Sequence, residues 1–163
     1  MLAAQNTTQL VIKYLYYTFK DQNIKINKKN KDGNTAFMFA AQNTNRLVIE
    51  FLYDTFKDQN IDIELQNKAG NTAFILAAQS SNIDVIKYLY YTFEDQNIEI
   101  NRKNKDGNTA IMLAAAQNTT PLVIKFLHEV FSRNIDINTQ NKDGNTALML
   151  ASAQNTNVDV LQC

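Results

Sequence analysis

The 163-residue sequence has few of the residues that catalysis, disulfide bonding or zinc binding require. It contains one histidine, His128, one cysteine, Cys163, one proline and no tryptophan. A single cysteine excludes an internal disulfide framework and a zinc site built on cysteines. A catalytic triad needs a nucleophile, a base and an orienting group, and one histidine with one terminal cysteine gives no sign of that set. We therefore predict no enzymatic activity, no catalytic residues, no metal site and no cofactor.

The sequence also lacks an excess of charge and a long apolar run. Sixteen basic and sixteen acidic residues cancel, which gives no reason to expect nucleic acid or a membrane surface as a partner. The longest apolar run, residues 110–116, is far shorter than the roughly 20 residues that span a bilayer. No secretory signal is visible at the N-terminus. We expect a cytoplasmic, reducing compartment, and the sequence leaves secretion into a host cell open.

Glycine is scarce as well, but its spacing is regular. The four glycines are Gly33, Gly70, Gly107 and Gly144, each 37 residues after the one before. A fixed period of this size indicates stacked structural modules. We divide the chain, as one repeat domain, into a partial unit 1–30, full units 31–67, 68–104 and 105–141, and a partial unit 142–163.

Each unit begins with a turn and a buried helix. Glycine tolerates positive φ in the turn, and the threonine two residues later can cap the helix that follows; these threonines are Thr35, Thr72, Thr109 and Thr146. The first helix is apolar on all sides and must therefore be buried. A polar break follows it and ends at a predicted cap for a second helix. These caps are Thr8, Asn45, Asn82, Thr120 and Asn157, with Pro121 at the first helical position.

The second helix carries apolar residues at helical spacing, which predicts one inward-facing side. The positions in the successive units are Val11, Tyr14, Leu15 and Phe19; Val48, Phe51, Leu52 and Phe56; Val85, Tyr88, Leu89 and Phe93; and Val123, Phe126, Leu127 and Phe131. An Ile-x-Ile segment then returns the chain in extended form to the next turn. The fourth copy gains an alanine near Ala115 and loses one residue near Ser132, so the period is preserved.

This unit resembles the ankyrin repeat over essentially the whole chain. The glycines match its turn glycine, the threonines match its capping threonine, and pairs such as Ala40-Ala41 match its alanine pair. The resemblance implies an all-α repeat solenoid of stacked helix-turn-helix units with β-turn or hairpin-like connecting loops. A tetratricopeptide array is the rival helical repeat, but it has a period of about 34 residues and no recurrent Asp-Gly turn.

The sequence departs from the family pattern in three ways, and these departures predict differences in structure. Alanine replaces the signature proline, for example at Ala36. The histidine that normally bonds neighbouring loops is replaced by Met38, Ile75, Met112 and Met149, so we expect apolar contact in place of those bonds. The unit is also longer than the family's 33 residues. Because the surplus falls in residues 17–23 and their copies, we expect a second helix that is one turn longer.

The resemblance implies a protein–protein interaction module or scaffold that binds on a concave face formed by turn tips and first helices. The matching positions are Lys31, Asp32, Asn34, Gln42 and Asn43; Lys68, Ala69, Asn71, Gln79 and Ser80; Lys105, Asp106, Asn108, Gln117 and Asn118; and Lys142, Asp143, Asn145, Gln154 and Asn155. Basic residues cluster at the first and third turns, such as Lys28 and Lys29, which leads to the hypothesis of an acidic segment in the partner protein. The uniform tips are equally consistent with recent duplication, a repetitive partner or binding elsewhere.

Other readings remain beside this one. The chain is alternatively a structural spacer of a longer ankyrin array, or part of a host-directed effector whose activity lies outside it. Tyr17 and Tyr91 face away from the packed stripe and are assigned to lateral packing between second helices or to an interface.

Both ends fall inside a unit without a polar cap, so we expect a fragment of a longer array or end-to-end self-association. The calcium-loop reading fails because Arg102 and Leu113 occupy the first and twelfth loop positions around Gly107.

Overall fold

A computed structural model describes residues 2–80, 82–96, 98–117 and 121–154. Within these ranges the chain forms eight α-helices, three short 3-10 turns and no β-strand. The helices are α1 (Leu2–Phe19), α2 (Ala36–Ala41), α3 (Arg46–Phe56), α4 (Ala73–Gln79), α5 (Ile83–Thr92), α6 (Ala110–Gln117), α7 (Leu122–Phe131) and α8 (Ala147–Gln154). The 3-10 turns are Lys20–Gln22, Lys57–Gln59 and Glu94–Gln96.

The helices stack in two rows. The short first helices α2, α4, α6 and α8 contact one another in chain order, and the long second helices α1, α3, α5 and α7 do the same. Each of α2, α4 and α6 also packs against the second helix that follows it. This arrangement confirms the predicted all-α repeat solenoid.

The core lies between the two rows. Residues 73–78 of α4 and residues 110–116 of α6 are all buried, as expected for helices that are apolar on every side. The predicted inward stripe is confirmed in α3, where Val48, Leu52 and Phe56 are buried, and at the matching positions of α5 and α7. Burial of this kind stabilises by about 1.5–3 kcal/mol for each large apolar side chain.

Aromatic contacts join successive second helices. The rings of Tyr16 and Phe56, Tyr53 and Phe93, and Tyr90 and Phe131 meet edge to face with centroids 5.4, 5.3 and 5.3 Å apart. Each pair crosses from one unit to the next, and such pairs add about 0.5–1.5 kcal/mol beyond their burial. The sequence analysis did not single out these tyrosines, although they recur every 37 residues.

The first helix of the structure corrects two expectations. α1 is continuous from Leu2 to Phe19 and has no break at Thr8. Fewer than two helical turns precede that position, which is too little for a separate helix that could fold back on the next. As a consequence, the predicted inward residues Val11, Leu15 and Phe19 are exposed, because no preceding first helix covers them.

The surplus residues of each unit do not form an extra α-helical turn. In the first three second helices they form the 3-10 turns, and left-handed Asn23 and Asn60 end the first two of these turns. In the fourth copy the stretch after α7 is one residue shorter, and it forms no 3-10 turn within the described residues. The turn has a structural use: the Gln59 side chain donates to the Ile24 carbonyl (2.8 Å) and accepts from the Ile26 N–H (3.2 Å) of the preceding return.

Two smaller expectations also change. The Ile-x-Ile return is not extended throughout. In three of its four copies the middle carbonyl accepts a hydrogen bond from the amide three residues on, as the Glu99 carbonyl does from the Arg102 N–H at 3.0 Å. Pro121 lies one residue before α7, with helical φ of −73° and ψ of −5°. Asn45 and Asn82 accept hydrogen bonds from the first amides of α3 and α5, which confirms those two caps. The predicted caps Thr120 and Asn157 lie outside the described residues, and the structure describes only the backbone at Thr8.

Candidate functional site

The turns form one edge of the stack, and an asparagine shapes each of them. The Asn30 carbonyl accepts from the Gly33 N–H at 3.0 Å, and Gly33 takes a φ of 81°. The Asn30 side chain also accepts from the Asp32 and Asn34 amides, both at 2.9 Å. Asn67, Asn104 and Asn141 repeat this pattern. Sequence reasoning missed these asparagines, although one stands three residues before every glycine.

Neighbouring turns touch through their backbones. The Lys68 N–H donates to the Asp32 carbonyl at 2.7 Å, and the Lys105 N–H donates to the Ala69 carbonyl at 2.8 Å. A Cβ on Gly70 would lie only 2.6 Å from the Lys105 nitrogen. Glycine is therefore required here both by its positive φ and by the close approach of the next turn.

An asparagine ladder adds a side-chain bond at each junction. The Nδ2 of Asn67 donates to the Oδ1 of Asn34 at 2.7 Å. The Asn104–Asn71 and Asn141–Asn108 pairs repeat this bond at 3.0 and 2.9 Å. Three of the predicted partner-binding residues, Asn34, Asn71 and Asn108, are thus half-buried and bonded to the next turn. The Met and Ile residues at the family's histidine position are buried in α2, α4 and α6, and the asparagines bond the loops instead.

The threonines before the first helices differ from unit to unit. The hydroxyls of Thr35 and Thr72 accept from the amides of Met38 and Ile75, both at 3.2 Å. Thr146 makes a longer bond of 3.4 Å to the Met149 amide. The Thr109 hydroxyl is buried and has no hydrogen-bond partner among the described residues.

The exposed part of the predicted site is the row of turn tips. The exposed tip residues are Lys31, Asp32, Lys68, Ala69, Lys105, Asp106, Lys142 and Asp143. Asn145 at the last tip is half-buried. In α4 and α6 every residue except the terminal glutamine is buried, so these first helices add only Gln79 and Gln117, which bond to each other at 3.1 Å.

The other predicted positions lie near the ends of the first helices. Gln42 is exposed, whereas Asn43 and Ser80 are half-buried. The Asn43 side chain accepts from the Asn45 amide at 2.8 Å, and the Ser80 hydroxyl donates to the Ala77 carbonyl at 2.8 Å. Asn118 and Asn155 lie outside the described residues, and Gln154 is the last residue of α8.

Some of the basic side chains near the turns form hydrogen bonds or an ion pair with a neighbouring unit. The ammonium groups of Lys29 and Lys103 donate to carbonyls of the following turn, at 3.0 and 3.1 Å. Arg102 forms an ion pair with Glu64, with Nε 2.6 Å from Oε2. The ammonium groups of the tip lysines Lys31, Lys68, Lys105 and Lys142 make no hydrogen bond or ion pair to any described residue and extend into solvent.

Charge is distributed unevenly across the molecule. We define the turn edge as residues 27–34, 64–71, 101–108 and 138–145. It holds eight of the sixteen basic residues but only four of the sixteen acidic ones, so the turn edge carries +4 and the rest of the chain −4. A neutral chain thus presents one positively charged edge, which can attract a negatively charged partner.

The second-helix side offers a different surface. Tyr17 and Tyr91 are both exposed. The Tyr91 ring lies 6.2 Å from the ring of Phe126 in the next unit, and Tyr17 lies 5.3 Å from Tyr16. Tyr88 on the same row is half-buried, and its burial raises its pKa to about 12, with nearby Asp54 and Glu50 adding to the shift.

The described residues contain no candidate metal site and no candidate membrane span. No group of three or more His, Cys, Asp or Glu side chains in that part of the chain could hold a metal ion. None of the helices in those ranges combines the length and apolar character needed to cross a membrane.

Comparison with known proteins assigns the family. The family model described as ankyrin repeats (3 copies) matches residues 1–104 and 91–163, which together span the chain. A search of curated proteins found no match. Repeats of the matched family generally mediate protein–protein interactions. The repeat period, the two-row stack and this match lead to one conclusion: the chain belongs to the ankyrin repeat family.

Proposed function

We propose that this chain is a non-enzymatic protein-interaction module whose turn edge binds an acidic segment of a partner protein. The observation that carries the proposal is the charge separation, with +4 on the turn edge and −4 elsewhere. The family generally mediates protein–protein interaction, and the turn edge is the surface where exposed, unpaired lysines recur.

The rigidity of the turns supports this role. Each tip is held from within by its asparagine, and a backbone hydrogen bond of 2.7–3.0 Å joins each pair of neighbouring tips. A surface whose backbone is already fixed loses little conformational entropy when a partner binds. The tip lysines keep flexible side chains on this fixed backbone, so they can adapt to carboxylates at different positions.

The strength of each contact is expected to be small. A solvent-exposed lysine–carboxylate pair contributes up to about 1 kcal/mol, and salt screens it. Three such contacts at about 0.5 kcal/mol each correspond to about a tenfold change in affinity. Binding should therefore be weak, fast and sensitive to ionic strength.

A charge-matched pair of variants tests the proposal. The probe is a fluorescein-labelled glutamate-rich peptide, and the measurement is fluorescence anisotropy at about 0.02 M and about 0.15 M ionic strength. The test variant replaces Lys31, Lys68 and Lys105 by Gln. The control variant replaces Lys20, Lys57 and Arg133 by Gln. These three residues are exposed outside the turn edge, so the control loses the same net charge as the test variant.

We expect the test variant to lose about tenfold in affinity at the lower ionic strength and the control to change by less than about twofold. An equal loss in both variants would show that only net charge matters. Absence of binding by the unmodified chain, or binding that the test variant retains, would overturn the proposal.

A second candidate function is a structural spacer within a longer array. It is favoured by the asparagine ladder, which commits Asn34, Asn71 and Asn108 to holding the turns together instead of to a partner. The peptide experiment separates the two roles, because a spacer has no reason to bind acidic peptide at the turn edge.

A further inference from the structure

The two ends of the stack expose positions that are buried in its interior. On α1, Val11 is 52% and Leu15 50% exposed, whereas Val48 and Leu52 at the matching positions of α3 are 3% and 6% exposed. On α8, Met149 is 52% exposed, whereas Met112 at the matching position of α6 is 1% exposed. The interior of the same chain therefore shows what covers these positions, namely another unit of this sequence.

The interior junctions are built around a phenylalanine that enters a socket of the preceding unit. The ring of Phe131 lies 6.0 Å from Phe74 on α4 and 5.3 Å from Tyr90 on α5. Phe93 makes the same pair of contacts with Phe37 and Tyr53, at 5.6 and 5.3 Å. Each socket thus lies between a first-helix side chain and a second-helix tyrosine.

The next socket along the stack is open. One unit after Phe74 and Tyr90 the matching residues are Ile111 and His128, and they line a groove of about 540 Å³. Ile124, Ile135 and Ile137 line the same groove. No phenylalanine is among the described residues that line this groove. At the opposite end, Phe19 stands at the matching position of α1 and is 43% exposed.

The turns are complementary in the same register. A Cβ on Gly144 would meet nothing within 4 Å, whereas the other three glycines meet the next turn's backbone. In the interior, the Asp32 carbonyl accepts from Lys68 N–H and Asn34 accepts from the Asn67 side chain. The Asp143 carbonyl and the Asn145 side chain of one copy could accept in the same way from Lys31 and Asn30 of another.

We propose that a second copy of this chain docks head to tail on the C-terminal end of the first. Phe19 of the second copy enters the groove between Ile111 and His128, and its α1 covers α8 as α3 covers α2 within the chain. This contact joins two different surfaces, so it does not close on itself and produces open chains of copies as concentration rises.

Sedimentation velocity on the full chain over a wide concentration range tests the proposal, with two variants that block opposite ends. Phe19→Asp removes the inserting ring, and Ile137→Asp places a charge at the rim of the groove; both side chains are exposed in the single chain, so the fold should survive. Tyr91→Asp, at an exposed aromatic residue on the second-helix side, is the matched control. Circular dichroism checks the fold of each variant.

The unmodified chain should form oligomers that grow with concentration. Each end variant alone should bind itself at least about thirtyfold more weakly. An equal mixture of the two should form a one-to-one pair and stop there, because each variant keeps the end that the other has lost. A chain that stays monomeric at all concentrations, a mixture that forms no pair, or an equal loss in the Tyr91→Asp control would overturn the proposal.

Discussion

Replacement of Gly70 by alanine tests whether the close approach of neighbouring turns, and not only the backbone conformation, requires glycine. Gly70 has a φ of +81°, and a Cβ there would lie 2.6 Å from the backbone nitrogen of Lys105. Gly144 has nearly the same conformation, with a φ of +80°, but nothing lies within 4 Å of its Cβ position. The two substitutions therefore share the conformational strain and differ in the steric clash.

The expected costs follow from these contacts. A side chain in the left-handed region costs about 1–2 kcal/mol, which applies to both variants. At Gly70 the new methyl group must also push the turns apart. This weakens the bond from Lys105 N–H to the Ala69 carbonyl (2.8 Å) and the Asn104–Asn71 bond (3.0 Å), each contributing about 0.5–1.5 kcal/mol. Gly70→Ala should therefore destabilise the chain by about 2–5 kcal/mol and Gly144→Ala by about 1–2 kcal/mol.

The assay is urea unfolding followed by far-ultraviolet circular dichroism, with the free energy of unfolding and its slope fitted for each variant. An equal slope for a variant and the unmodified chain shows that both expose the same amount of surface on unfolding, so the difference in free energy is a difference in stability. Equal losses for the two variants would refute the reasoning, because they would show that the approach of the next turn adds nothing to the need for glycine.

Three further substitutions test other contacts by the same unfolding assay. Asn67→Ala removes two bonds to its own turn and one to Asn34 and should cost about 2–4 kcal/mol. Asn145→Ala removes a side chain that makes no hydrogen bond to a described residue and should cost less than about 1 kcal/mol; similar costs would contradict the ladder. Tyr90→Ala removes ring contacts with Phe126 and Phe131 and should cost about 3 kcal/mol, whereas exposed Tyr17→Ala should change the free energy by about 0.5 kcal/mol or less; a cost at Tyr17 as large as at Tyr90 would refute the inter-unit ring contact. Folding raises the pKa of Tyr88 from 10.0 to about 12, so the folded state favours the protonated form. The contribution of Tyr88 to the free energy of unfolding is therefore complete below pH 10 and is lost as pH rises toward 12. Tyr88→Phe should remove that part of the alkaline loss, and an unchanged pH profile would contradict it.

The sequence predicted best what depends on local patterns. The glycine recurs four times at a fixed period, and the apolar stripe recurs in α3, α5 and α7. Asn45 and Asn82 cap helices through bonds to residues two or three positions away. Such features need no knowledge of distant partners. They were sufficient to predict the fold class and the order of the two helices in each unit.

The features that the sequence did not predict depend on neighbouring units. Val11 and Val48 are equivalent in sequence, yet only Val48 is buried, because burial depends on the helix next to it. The asparagine at position 67 recurs as clearly as the glycine, but only the structure shows that it bonds to the preceding unit at Asn34. Asn34 was predicted to lie on a contact surface because a sequence does not distinguish an exposed polar residue from a half-buried one that bonds to a neighbouring unit.

The surplus residues of the unit show the same limit. An added stretch after a helix can lengthen it or form a different turn, and the local pattern of Lys57–Gln59 favours neither. The structure also shows a contact that the local pattern does not indicate: the Gln59 side chain bonds to the return of the preceding unit, more than thirty residues away in the chain.

The most direct test of the turn edge as the binding surface is nuclear magnetic resonance of the ¹⁵N-labelled chain titrated with the glutamate-rich peptide. The account predicts that the largest amide shifts occur at Lys31, Lys68, Lys105 and the residues beside them, and that they shrink as salt is added. Shifts concentrated on the second helices α3, α5 and α7, with the turn tips unchanged, would contradict it.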